Sequence, residues 1–211
     1  MVSKRIVRTW VGVLLALPVL AVVVGLWACL PVPVGDPEKS KVDDKLIGAW
    51  VAKDGDEKTV YVVQTWDPRT YVVRCMNYTG KKGAWEAKGE MLTFKGWLTE
   101  LGGARFLVLE PKSVNEVLEP AKKDERIWVV MKIKVENDKA QAWMINPEST
   151  LTKNVKTREE AEKILAEHAD DKALYGDDGK NLELKRAGDD LKEELGEVFK
   201  DAYHLGDLKM K

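Results

Sequence analysis

Residues 11–30 read VGVLLALPVLAVVVGLWACL, twenty positions without one charged side chain, and this run limits the fold more than any other feature of the chain. It has no polar face at helical period, so it cannot lie half in water as a surface helix does. At 1.5 Å per residue, twenty residues reach about 30 Å, the thickness of a bilayer's hydrocarbon core. Lys4, Arg5 and Arg8 precede the run, and the first acidic residue is Asp36. The cationic flank stays on the cytoplasmic side, so the rest of the chain is carried across. An export signal and an uncleaved anchor predict the same topology.

Within the run, Leu26-Trp27-Ala28-Cys29 resembles the lipobox of bacterial lipoproteins, with Leu three positions before the Cys and a small Ala directly before it. The resemblance implies that Cys29 becomes a lipidated N-terminus after cleavage; the alternative is a retained transmembrane helix. Either way the first partner is membrane lipid, and the domain sits on the extracytoplasmic side of the cell envelope. Cys75 is then left alone, and there is no disulfide framework.

Pro31, Pro33 and Pro37 fall within seven residues, which predicts an extended, semi-rigid spacer over 31–45 that lifts the domain off the membrane. Residues 46–211 make one domain's worth of chain, enough to bury a core. With 34 basic against 35 acidic residues the net charge is −1, so no overall field invites nucleic acid.

From Leu46 onward the chain breaks into short β-prone runs separated by turn residues. Strands are expected over 46–53, 57–66, 69–78, 83–88, 91–100, 104–110, 126–136 and 139–146, about eight in all. Ile127, Val129, Met131, Ile133 and Val135 alternate with Trp128, Lys132 and Lys134, the period of a half-buried strand. The even spacing favours an antiparallel up-and-down barrel over a sandwich, because closure removes exposed edges.

The period then changes. Thr157-Arg-Glu-Glu160 is a capping box, and Ala161, Ile164, Leu165 and His168 come after it at helical spacing, predicting a helix over 157–169. That helix is expected to dock outside the barrel with Arg158, Glu159, Glu162 and Lys163 in water, because an eight-stranded barrel is too narrow to admit it. A short strand over 181–186 comes next. A helical tail over 188–211 carries Leu191, Leu195, Val198, Phe199 and Ala202 on one face, weakened by Gly196.

Gly48-Ala49-Trp50 at the start of the first strand resembles the Gly-x-Trp signature of lipocalins. The order of about eight strands, a helix and a short strand ending in Arg186 resembles that superfamily's layout. Glu167-His168-Ala169-Asp170-Asp171 with the preceding helix and Tyr175 is similar to a group of uncharacterised bacterial lipocalin-like exported proteins. The resemblance implies that Trp50 plugs the closed end of a barrel and that Arg186 packs across it. It also implies a small apolar ligand or lipid in the barrel mouth.

The other domain tryptophans, at 66, 85, 97, 128 and 143, read as core or rim residues. One face of the strand over 126–136 must look inward; if it is the Ile127, Val129 and Met131 face, aliphatic side chains fill the interior and leave it tight for a ligand. Catalytic and cofactor motifs are missing: there is no Gly-x-Ser-x-Gly, Walker loop, His-Glu-x-x-His or Cys-x-x-Cys, and the chain has only His168 and His204. His168 with Asp171 reads as a helix C-terminus complementing the dipole, so no metal or cofactor is expected. Two function classes remain, a tethered barrel that binds a small apolar ligand and an envelope structural domain with a solid core. An enzyme is not the expectation.

Overall fold

The computed structural model describes residues 29–81, 84–112, 128–176, 179 and 181–188. The chain is mainly β. Its strands are β1 (Cys29–Leu30), β2 (Gly48–Asp54), β3 (Glu57–Thr65), β4 (Tyr71–Lys81), β5 (Ala84–Leu101), β6 (Ala104–Lys112), β7 (Trp128–Glu136), β8 (Lys139–Met144) and β9 (Leu182–Arg186). Neighbours pair antiparallel from β2 through β8, and β9 lies between β2 and β8, which closes an eight-stranded barrel. Two-residue β1 adds to β7, pairing Cys29 with Val129 and Leu30 with Trp128.

The expected runs over 83–88 and 91–100 are one strand, β5, bent at Gly89. Its φ of +80° suits glycine, and the register slips opposite Cys75–Asn77 on β4, so the strand kinks without ending. Residues 46–146 therefore supply seven barrel strands, and the eighth arrives after the helix as β9. Strand count alone could not show this, since β9 is a short, half-exposed segment whose partners lie 40 or more residues away in sequence.

Alternation decides what lies inside. Trp50, Tyr61, Val63, Val73, Phe94, Leu98, Leu107, Leu109, Val129, Met131, Ile133 and Val135 share the inner cluster. The Val129 and Met131 face of β7 is thus the inward one, and Trp128 points out. Outside, Phe106, Val108, Val130, Trp97 and Trp128 form a second cluster on the flank of β5, β6 and β7. Helix α1 (Arg158–Glu167) lies on that flank, held at its start by the full capping box of Thr157 and Glu160. It buries Ala161 and Leu165, with Ile164 half-buried beside them.

The segment over 31–45 is not a spacer. Val34 is completely buried, and its carbonyl accepts a hydrogen bond from Trp97 Nε1 at 2.8 Å. Leu98 N donates to Ser40 Oγ at 3.0 Å, and Arg105 pairs with Asp43 at 2.6 Å. The prolines do hold the chain extended, but Val34, Val42 and Leu46 between and after them have apolar area to bury, so the extended segment straps the barrel. The strap also engages Glu162, expected free in water. Its Oε1 accepts from Gly35 N at 2.9 Å and from Arg158 Nε at 2.6 Å, tying helix to strap.

Among the described residues no helix is long and apolar enough to cross a membrane. The anchor over 1–30 lies outside the described residues except for Cys29 and Leu30, and the tail over 188–211 lies outside them except for Gly188.

Candidate functional site: the base and inner wall of the barrel

The chain enters the barrel through a single turn, Asp44–Leu46, and this turn builds the base. Trp50 is 2% exposed, and its Nε1 donates to the Leu46 carbonyl at 2.8 Å. Arg186, paired with Trp50 across β9 and β2, lays its guanidinium 4.3 Å from the centre of the indole ring. The same guanidinium donates to the carbonyls of Ile47, at 2.7 Å, and Lys45. One side chain thus covers an aromatic face and satisfies two carbonyls that the turn leaves unpaired. Gly48 has its own reason here: its φ is +129°, and a Cβ on it would stand 2.7 Å from Arg186 Nη1. Sequence reasoning pairs Trp50 with Arg186 and misses why the glycine accompanies them.

Above the base, one row of ladder partners runs Trp50, Tyr61, Cys75, Leu92 around the inner face. Desolvation pushes the Tyr61 phenol well up, with neighbouring Cys75 adding to it, and burial pushes the Cys75 thiol up to about 12. Both groups are neutral at physiological pH, so this stretch of wall carries no charge. The next row holds Ala52, Thr59, Asn77 and Lys88, where Thr59 Oγ1 donates to Asn77 Oδ1 at 2.8 Å and Lys88 pairs with Glu57. The wall therefore passes from apolar to polar going away from the base.

Packing is uneven along the wall: Trp50, Tyr71, Val73 and Leu107 are buried, as are Leu109 and Val129 farther from the base, whereas Tyr61, Phe94, Met131, Met144 and Leu184 keep part of their surface open while belonging to the inner cluster. Leu92 is 51% exposed, the only large apolar side chain among the described residues that is so open. This wall is legible in part: Leu92, Phe94 and Leu98 alternate in sequence with Thr93, Lys95 and Trp97, but the expected break in β5 hides their continuity with Tyr61.

The remaining sequence candidates fall elsewhere. Cys29 has its backbone in β1, against Val129, and is not near the base. Cys75 is a free thiol in the wall. Trp97, Trp128 and Trp143 are on the outside, the last beneath Lys132 at 5.3 Å, and Trp85 lies under Lys58 at 4.1 Å. His168 ends α1 as its C-cap, with Nδ1 3.7 Å from Asp171, and no group of three or more metal-ligating side chains occurs among the described residues.

Two hollows lie on the outer surface. A groove of about 540 Å³ runs between the strap, the β5–β6 hairpin and α1, and one of about 350 Å³ lies beside the β3–β4 turn. The larger is lined by Asp36, Lys39, Asp43, Arg105, Arg158 and Glu162, whose charges pair with one another, and by Lys41 and Glu100. No family model matches the chain, and no curated protein or solved structure matches it either.

Proposed function

We propose that this is a membrane-tethered, extracytoplasmic, lipocalin-like barrel that takes a small apolar ligand or lipid chain through the end opposite Gly48. The observation that carries this reading is the gradient along the inner wall: sealed by Trp50 and Arg186 at the base, uncharged in the middle, and open at Leu92. An apolar wall that stays partly wet gains free energy when a ligand covers it, at about 25 cal/mol for each Å² removed from water. The polar row of Thr59, Asn77 and Lys88 fits the rim of such a site, where a few placed polar groups orient a mostly apolar ligand. The competing reading, an envelope structural domain without a ligand, draws on the packed interior around Trp50, Tyr71 and Leu107.

Organic extraction of protein purified from its own membrane, followed by mass spectrometry, separates the two. The expected result is one apolar compound in near-equal amount to the protein, absent when Leu92→Lys is purified the same way. Because Leu92 is already exposed, that substitution should change stability by less than about 0.5 kcal/mol while weakening retention of an apolar probe about tenfold. An extract containing only bulk membrane lipid, from wild type and variant alike, sinks the ligand reading.

The tether rests on the run that ends at Cys29. Lipid labelling in cells is expected for the wild type and lost in Cys29→Ala, with the variant retained at full length. A wild type that is itself unlabelled and full length leaves the transmembrane helix as the anchor. β1 pairs Cys29 with Val129 of β7, and a tether at Cys29 would accordingly hold the barrel close to the membrane surface.

A further inference from the structure

The outer face of β2 and β3 is apolar where the wall of a barrel in water should be polar. Ala49, Val51, Val60 and Val62 alternate with the inward Trp50, Tyr61 and Val63, so they point away from the interior. None is more than 5% exposed. The described residues that pack with them are Tyr78, Met76, Trp85 and Ala187. Helix α1 and the strap are on the other flank, over β5, β6 and β7, and do not belong to this cluster.

We infer that residues 189–211 of the same chain dock on this face. The described chain runs out at Gly188, one residue past Ala187, which already packs on the patch, so the segment starts beside the surface it covers. Its apolar positions Leu191, Leu195, Val198, Phe199 and Ala202 repeat at helical spacing and make one stripe. Twelve helical residues are about 18 Å long, and crossing from β9 over β2 and β3 to β4 takes about 14 Å at a strand spacing near 4.8 Å. The stripe is long enough to span the patch.

Charge agrees with that placement. Between Asp189 and Asp201 the chain carries six acids against two lysines. The face carries the opposite sign: Lys58 lies within it, only 3% exposed, and Lys185 stands beside Val51 as its ladder partner. Neither Lys58 nor Lys185 is without a partner. An acidic amphipathic segment set on a lysine-edged apolar face satisfies both halves of the pattern, and a basic or neutral partner satisfies only one.

The test reads the Lys58 amine in the full chain, held in detergent micelles, by acetylation and peptide mass spectrometry. Lys58 is expected to label slowly in the wild type, at a rate independent of protein concentration. In Leu195→Asp/Phe199→Asp it should label about tenfold faster, with exposed Lys139 unchanged, as local uncovering of a protected site predicts. An unchanged Lys58 rate in the variant overturns the inference, and so does wild-type protection that disappears on dilution, which would assign the face to the tail of a second copy. A measurement without any substitution guards against a variant that fails to fold. Carbodiimide coupling of the wild type should join Lys58 or Lys185 to an acid between positions 189 and 201 of the same molecule, and the absence of that cross-link also overturns the inference.

Discussion

Trp50→Ala is expected to cost about 3–5 kcal/mol, the range for removing a fully buried aromatic side chain from a core that cannot collapse onto the void. The Leu46 carbonyl loses the indole N–H, Arg186 loses the ring beneath its guanidinium, and the turn Asp44–Leu46 that carries the chain into β2 loses the group it is built on. For a domain of this size each kcal/mol moves the melting temperature by about 2–4 °C, so thermal unfolding should shift down by about 6–20 °C. Arg186→Lys should cost less, because the ammonium keeps the charge over the indole but cannot reach the carbonyls of Ile47 and Lys45 together as the forked guanidinium does. A double-mutant cycle between Trp50→Leu and Arg186→Met, each of which removes the cation–π contact, reports the coupling, expected near 0.5–2 kcal/mol. A melting temperature for Trp50→Ala within a few degrees of wild type would mean that the base is not closed by this pair, and with it would go the sealed end that a one-mouthed ligand site requires.

Reading the chain by period succeeds where one side of an element is wet and the other dry. The second half of β7 is such an element: Met131, Ile133 and Val135 face in, Lys132 and Lys134 face out, and the alternation is visible in the letters. Helix α1 is another, with its capping box and its Ala161 and Leu165 stripe. The method fails where both sides are covered or where a bend interrupts the alternation. Gly89 and its neighbours look like a turn between two hairpin strands, but a single positive-φ glycine bends β5 without releasing its pairing to β4. The strap escapes sequence reading for a different reason. Proline spacing reports that a segment is extended and says nothing about whether it touches anything, and the information lies in the apolar residues between the prolines, above all Val34. The base pair is legible because a short motif ties Gly48 to Trp50, whereas the Leu92 side of the wall requires knowing that β4 and β5 share a register.

The strap also alters what a substitution on the helix should do. Leu165 is 1% exposed and packs among Phe106, Val108 and Trp97, so Leu165→Ala should cost about 2–5 kcal/mol, with the strap and barrel wall limiting how far the site can close. Glu162 lies one turn earlier on the side that faces the strap, and a reading from sequence would make Glu162→Ala neutral. Its carboxylate accepts from the Gly35 amide and from Arg158, so removing it takes a charge-assisted hydrogen bond from a backbone group that is partly shielded. Such bonds are worth about 1.5–3 kcal/mol when shielded, and solvent at this half-open position reduces that towards about 1 kcal/mol. Glu162→Gln, which keeps an acceptor for Gly35 while losing the charge, should fall between Glu162→Ala and the wild type. Thermal melts of the three variants are therefore expected in the order Leu165→Ala lowest, then Glu162→Ala, then Glu162→Gln nearest to wild type. If Leu165→Ala and Glu162→Ala melt together, and both close to wild type, α1 is not docked on the β5–β7 flank; if Glu162→Ala alone is silent, the helix is docked and the strap is held without its help, by Trp97 and the burial of Val34.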